Sequence, residues 1–63
     1  MTGYRDEDFV YKGYDMEILQ EEHDWSCLIY LNGIKQETYT RQRKQEAIAI
    51  AKLWVDKHKE STK

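Results

Sequence analysis

Residue types that could carry out chemistry are few in this chain and lie far apart. The sequence has two histidines and one cysteine, and no spacing joins His23, Cys27 and His58 into a catalytic set. Cys27 falls on the apolar side of a predicted strand, where a thiol acts as a small buried hydrophobic group. We therefore predict that the protein is not an enzyme, has no catalytic residues and uses no cofactor.

His23 stands in the acidic run Glu21-Glu22-His23-Asp24, which contains side chains of the types that bind metals. A single imidazole among neighbouring acids is nevertheless more typical of a solvated turn, so we predict no metal site. His58 lies near the end of a predicted helix. There a partly protonated ring favours the negative end of the helix dipole, which makes capping the better interpretation.

The basic run Thr40-Arg41-Gln42-Arg43-Lys44 precedes the helical segment and allows two interpretations. Thr40 is a plausible N-cap, but cations in the first turn would oppose the macrodipole by about 0.3–1 kcal/mol. The helix would then begin later, near Lys44 or Gln45. Alternatively, helix N-terminal amides and basic side chains act together on phosphate groups, through Arg41, Arg43 and Lys44.

Two periodicities predict the elements that position these residues. Apolar residues alternate in the segment DWSCLIYLNG, as in a strand, whereas QEAIAIAKLWV has the 3.6-residue period of a helix. Asn32-Gly33 is a strong hairpin signal. We predict an α+β fold with a three-stranded antiparallel meander over about 9–20, 25–31 and 34–40, and one face covered by a C-terminal helix over about 41–59. Gly13 would mark a bulge or a bend inside the first strand.

One helix covers only one face of such a sheet. The other face should carry Leu28 and Tyr30 at its centre, with Asp15 and Glu17 beside them. A two-residue turn leaves it open whether Tyr39 joins this set or the core, because a shift of one residue exchanges the faces. We predict that Leu28, Tyr30 and Tyr39 form a partner-binding surface.

Length and composition predict a single small domain over residues 9–60, with a flexible acidic tail at 1–8 and a frayed end at 61–63. Its 40% hydrophobic and 35% charged residues are typical of a water-exposed globular domain. No apolar stretch approaches the length of a membrane span, and one cysteine cannot form an internal disulfide. The expected location is the cytoplasm, with no membrane partner.

The charge is unevenly distributed along the chain. Residues 1–24 carry eight acids and two bases, whereas residues 25–63 carry four acids and eight bases. The acidic total disfavours nonspecific nucleic-acid binding, for which a basic domain is typical. We predict a noncatalytic protein-interaction or adaptor module that binds a protein, or a second copy of itself, through its uncovered sheet face. The alternative is a nucleic-acid-binding domain that contacts phosphates through the basic helix start.

The span from Tyr14 to Val55 resembles the β-β-β-α part of double-stranded-RNA-binding domains. Arg43-Lys44 would match the lysine pair of that family, and Ala47 and Ala51 the small helix residues that follow. The resemblance implies phosphate contacts by Arg43 and Lys44 across a groove. The layout also resembles the three-stranded-sheet domains of apetala and integrase-arm type, which bind DNA through the sheet, and the general pattern of short bacterial and phage proteins.

Overall fold

The computed structural model describes residues 4–60, without the side chains of Tyr4 and Glu60. It contains four strands followed by one helix: β1 (Tyr4–Tyr11), β2 (Tyr14–Gln20), β3 (Trp25–Leu31), β4 (Ile34–Arg41) and α1 (Lys44–Glu60). The strands form one antiparallel sheet in the order β1-β2-β3-β4. The predicted α+β class, antiparallel sheet and single C-terminal helix are confirmed. The predicted number of three strands is wrong.

The error lies in the segment over 9–20, which is a hairpin and not one strand. Lys12 and Gly13 both have positive φ, 52° and 88°, as in a type I′ turn, and Tyr11 pairs with Tyr14 across it. Gly13 thus closes a hairpin where we expected a bulge or a bend. Residues 4–8, which we assigned to a tail, lie in β1. The rest of that tail and the predicted frayed end at 61–63 lie outside the described residues.

The hairpin between β3 and β4 closes as predicted, with Asn32 at φ 54° and Gly33 at φ 80°. The register then shifts by one residue within β4. Tyr30 pairs with Lys35, but Ile29 pairs with Glu37, so Gln36 is the additional residue of a β-bulge. β1 contains a similar shift at Asp6.

The core lies between α1 and one face of the sheet. Its fully buried side chains come from β2, β3 and α1, and Phe9, Tyr11, Tyr14, Trp25, Tyr39, Ile48 and Trp54 pack around them. The helix contributes Ala47 and Ala51, whose small side chains allow a close approach to the sheet. The fully buried residues are Met16, Ile18, Cys27, Ile29, Ala47, Ala51 and Val55.

Helix α1 begins at Lys44, three residues later than the predicted start at 41. Arg41 is still extended, because it pairs with Trp25 in the sheet. The first backbone hydrogen bonds of the helix run from the N–H groups of Glu46 and Ala47 to the Arg43 carbonyl, both at 3.1 Å. The prediction of Thr40 as N-cap is therefore wrong, and the alternative of a later start is confirmed. Within residues 4–60, no helix combines the length and apolar character that spanning a bilayer requires.

Candidate functional site

The face of the sheet opposite α1 is organised in rows that cross the strands. The central row places Leu28 between Glu17 of β2 and Thr38 of β4, and the next row places Tyr30 between Asp15 and Lys35. Leu28 and Tyr30 therefore lie where the sequence predicts them, in the middle of the uncovered face, and both are half-buried by their neighbours. The rows are Val10–Asp15–Tyr30–Lys35, Asp8–Glu17–Leu28–Thr38 and Arg5–Leu19–Ser26–Thr40.

An open concavity of about 650 Å³ lies on this face beside Tyr30. Its lining combines the aromatic ring and Val10, which is 65% exposed, with the carboxylates of Asp8, Asp15 and Glu17. The lining contains no cationic side chain. Such a surface offers apolar contact together with negative charge, so it is complementary to a cationic group carried on an apolar segment.

Arg5 lies next to the concavity, and two carboxylates of the concavity hold its guanidinium. The two terminal nitrogens of Arg5 contact different acids, Asp8 at 3.3 Å and Glu17 at 3.1 Å. These pairs are exposed and contribute little to stability. Among the three carboxylates of the concavity, Asp15, in the row of Tyr30, is therefore the one for which the described residues provide no ion pair.

Tyr39 does not belong to this surface, and its predicted placement on the uncovered face is wrong. An uninterrupted pairing from the Asn32-Gly33 turn would put Tyr39 opposite Ser26, whose side chain lies on that face. The bulge at Gln36 moves Tyr39 opposite Cys27, and its ring packs against the core beneath α1. The uncovered position is taken by Thr40, whose hydroxyl lies 2.9 Å from that of Ser26.

The three predicted phosphate-binding residues have different environments. The Lys44 ammonium lies 2.6 Å from Asp6 and 3.3 Å from Glu7, and 5.5 Å from the centre of the Trp25 ring. Neighbouring residues of a regular strand point to opposite faces, and the bulge at Asp6 lets both carboxylates reach one ammonium. These bonds, to Asp6 above all, raise the pKa of Lys44.

Arg41 and Arg43 are exposed and lie at the end of β4 and in the connection to α1. A terminal nitrogen of Arg41 donates to the Thr40 carbonyl at 2.7 Å, and the guanidinium lies 5.9 Å from the centre of the Tyr39 ring. The structure therefore leaves two arginines accessible, whereas Lys44 is already neutralised by its carboxylates.

Asp56 anchors the other end of the helix to the first hairpin. Its Oδ1 accepts hydrogen bonds from the Lys12 ammonium at 2.7 Å and the Tyr11 hydroxyl at 2.9 Å. The Lys12 ammonium first, and the Tyr11 hydroxyl second, lower the pKa of Asp56, while the bond to Asp56 raises the pKa of Tyr11 and of Lys12. The sequence does not predict this cluster, because the pattern over 9–20 indicates one continuous strand and Lys-Gly is a weaker turn signal than Asn-Gly.

The residues that could do chemistry are held in structural positions. Cys27 is fully buried beside the Met16 sulfur at 3.7 Å, and burial raises the pKa of its thiol to about 11. The His58 ring stacks on Trp54 at 3.7 Å between centres, with Nδ1 3.0 Å from the Trp54 carbonyl oxygen. Among the described residues, no three histidine, cysteine or carboxylate side chains are close enough to hold a metal ion.

Comparisons with known proteins identify no family for the chain. No family model matches it, and neither the curated proteins nor the solved structures contain a match. The resemblance to double-stranded-RNA-binding domains therefore stays a prediction.

Proposed function

We propose that the protein is a noncatalytic interaction module whose uncovered sheet face binds a partner protein. The observation that supports this proposal is the concavity beside Tyr30, where carboxylates surround apolar side chains at the centre of a sheet face. Aromatic residues at the centre of an interface frequently contribute most of the binding energy. A polar and charged rim would then select the partner.

The partner that this surface suits is an extended segment with lysine or arginine between apolar residues. A cationic side chain would lie between Tyr30 and Asp15, where ring and carboxylate both favour positive charge. Apolar side chains of the segment would contact Val10 and Leu28. Because Arg5 already occupies Asp8 and Glu17, the new cation would use Asp15 first.

The test is an NMR titration of the isotope-labelled protein with an extended lysine-valine peptide, beside a glutamate-valine peptide of equal length. The cationic peptide should shift amide signals of β2 and β3 around Tyr30, and the acidic peptide should not. Tyr30→Thr should weaken binding by about tenfold or more, as truncating a central aromatic residue does. Asp15→Asn should weaken binding by a smaller factor than Tyr30→Thr. This factor should increase at low salt, where charges are less screened.

A matched control is Gln45→Ala, an exposed position on the helix. This variant should bind the cationic peptide like the wild type. Tyr30→Thr and Asp15→Asn variants that keep the wild-type circular dichroism and the wild-type affinity would refute the proposal. So would shifts that are confined to α1.

Nucleic-acid binding through the helix start is the competing proposal, and the geometry supports it less. Of its three residues, only Arg41 and Arg43 are exposed, and Lys44 lies in a cluster with two carboxylates. Phosphate contacts would require this cluster to open. The uncovered sheet face, with three carboxylates around its concavity, would repel a phosphate backbone.

A further inference from the structure

The second surface of interest is the free edge of β4, which is the last strand in the order β1-β2-β3-β4. Alternate residues of an edge strand direct their backbone groups away from the sheet. In β4 these include Thr38 and Thr40. The Thr38 N–H donates to the Glu37 carboxylate at 3.1 Å, and the Thr40 carbonyl accepts from Arg41 at 2.7 Å. Two outward backbone groups of β4 are therefore covered by side chains of the same strand.

An apolar groove of about 250 Å³ runs beside this edge, between β4 and α1. It is lined by Tyr39, Ile50, Leu53 and Trp54, and Leu53 is 52% exposed. Lys57 and His58 border the groove. The Leu53 side chain is not part of the core beneath α1, so it is accessible to a second surface on this side.

We propose that the surface that covers Leu53 is that of a second copy of the same chain, joined through β4. The two β4 strands would pair antiparallel about a two-fold axis at Tyr39, which makes one eight-stranded sheet. In this register Thr38 lies opposite Thr40 of the other copy, so that the outward N–H and carbonyl groups of both residues face each other in hydrogen-bonded pairs.

Charge selects this register among its neighbours. With the axis at Tyr39, Glu37 lies opposite Arg41 of the other copy, and the symmetry repeats this pair, giving two ion pairs per dimer. An axis at Thr38 would instead place Glu37 opposite Tyr39, and an axis at Thr40 would place Arg41 opposite Tyr39, so neither register forms these ion pairs. The pairing covers residues 37–41, because the bulge at Gln36 ends it on one side and β4 ends on the other.

Glu37 and Arg41 would thus have different partners in the single chain and in the dimer. In the single chain Glu37 accepts from the Thr38 N–H and Arg41 donates to the Thr40 carbonyl. In the dimer the backbone of the other copy would satisfy these two groups, and the two side chains would pair across the axis. Both lie on the helix side of the sheet, since Glu37 pairs with Ile29 and Arg41 with Trp25. Antiparallel pairing keeps both helices on that side, so the two apolar grooves meet and Leu53 becomes covered.

Sedimentation equilibrium on the full chain and on charge variants tests this proposal. The wild type should be a dimer at micromolar concentration. Glu37→Arg and Arg41→Glu should each be monomeric over the same range, a weakening of about a hundredfold, because each places like charges opposite one another. The double variant with both substitutions should again form a dimer, since the ion pairs are restored with exchanged signs. Glu22→Arg, an exposed turn position away from the edge, is the matched control.

Three results would overturn the proposal: a monomeric wild type at high micromolar concentration, single variants that dimerise like the wild type, or a double variant that stays monomeric while folded. A dimer that Tyr30→Thr dissociates and Glu37→Arg does not would place self-association on the uncovered face. That result would refute the edge dimer and leave the proposed interaction function intact.

Discussion

The alanines under helix α1 allow a sharp test of how the fold is held together. Ala51 is fully buried against the sheet, whereas Ala49, two residues earlier on the same helix, is exposed. Ala51→Leu adds three carbon atoms where the helix meets the sheet, and overpacking of this kind destabilises by about 1–3 kcal/mol. Ala49→Leu adds the same atoms in water and should change stability by less than about 0.5 kcal/mol.

The size of the domain makes this difference easy to measure. At about 0.05–0.15 kcal/mol per residue, a chain of this length has a free energy of unfolding of roughly 3–9 kcal/mol. A loss of 1–3 kcal/mol would lower the melting temperature by roughly 5–20 °C in a domain of this size.

Thermal and urea unfolding followed by circular dichroism at the helix band would measure both variants. Equal stability of Ala51→Leu and Ala49→Leu would refute the close helix–sheet contact. Because the change lies on the covered face, the folded Ala51→Leu protein should bind the cationic peptide like the wild type.

Three further outcomes follow from the ionisable groups. Cys27 should resist iodoacetamide at about pH 8 until the protein unfolds, since its thiol is buried with a raised pKa; rapid alkylation of the native protein would contradict this. Because the pKa of Asp56 is lowered, this carboxylate adds stability at pH values above its ordinary pKa of 3.8, and the added stability is lost as the pH falls through the lowered pKa of the folded state. Urea titrations should therefore show a smaller acid-induced loss of stability for Asp56→Asn than for the wild type. Arg43→Ala should lower any salt-dependent binding to mixed nucleic acid more than Lys44→Met, because carboxylates hold Lys44; the reverse order in a filter-binding assay would show that the cluster opens.

The parts of the fold that could be predicted are those with undisturbed periodicity. β3 alternates from Trp25 to Leu31, and the helix repeats small or apolar residues at Ala47, Ala51 and Val55. Both patterns arise because one side of each element is buried. Five fully buried residues of the structure belong to these two patterns: Cys27, Ile29, Ala47, Ala51 and Val55.

β1 could not be recognised because it is an edge strand with a bulge. Its first half contains three successive acids, which is unusual for a strand, and the bulge at Asp6 interrupts the alternation that Phe9 and Tyr11 would otherwise extend. Its partner, β2, supplies the register, and a partner cannot be identified from local composition. Missing β1 also removed Asp8 and Val10 from the predicted surface.

The residues of the candidate site also fall into those that the sequence could place and those that it could not. Leu28 and Tyr30 could be placed because their strand has a regular period. The face of Tyr39 depends on a single bulge residue, Gln36, and an inserted residue exchanges every later side chain between the faces of a sheet. Lys44 could not be assigned to a carboxylate cluster, since its partners come from β1.

The two bulges explain why the charged residues of this chain separate into different surfaces. At Asp6 the bulge directs two carboxylates to the helix side, where both contact the ammonium of Lys44, the first residue of α1. At Gln36 the bulge directs alternate β4 residues to the same side, next to the apolar groove, and leaves small threonines on the other. The uncovered face is acidic with an aromatic centre. The β4 edge instead carries opposite charges on Glu37 and Arg41, which lie on the same side of the strand. Bulges in natural sheets commonly re-aim side chains at functional positions. The bulge at Gln36, which the sequence pattern does not reveal, thus arranges the β4 edge, whereas the carboxylates beside Tyr30 lie in regularly paired parts of the sheet.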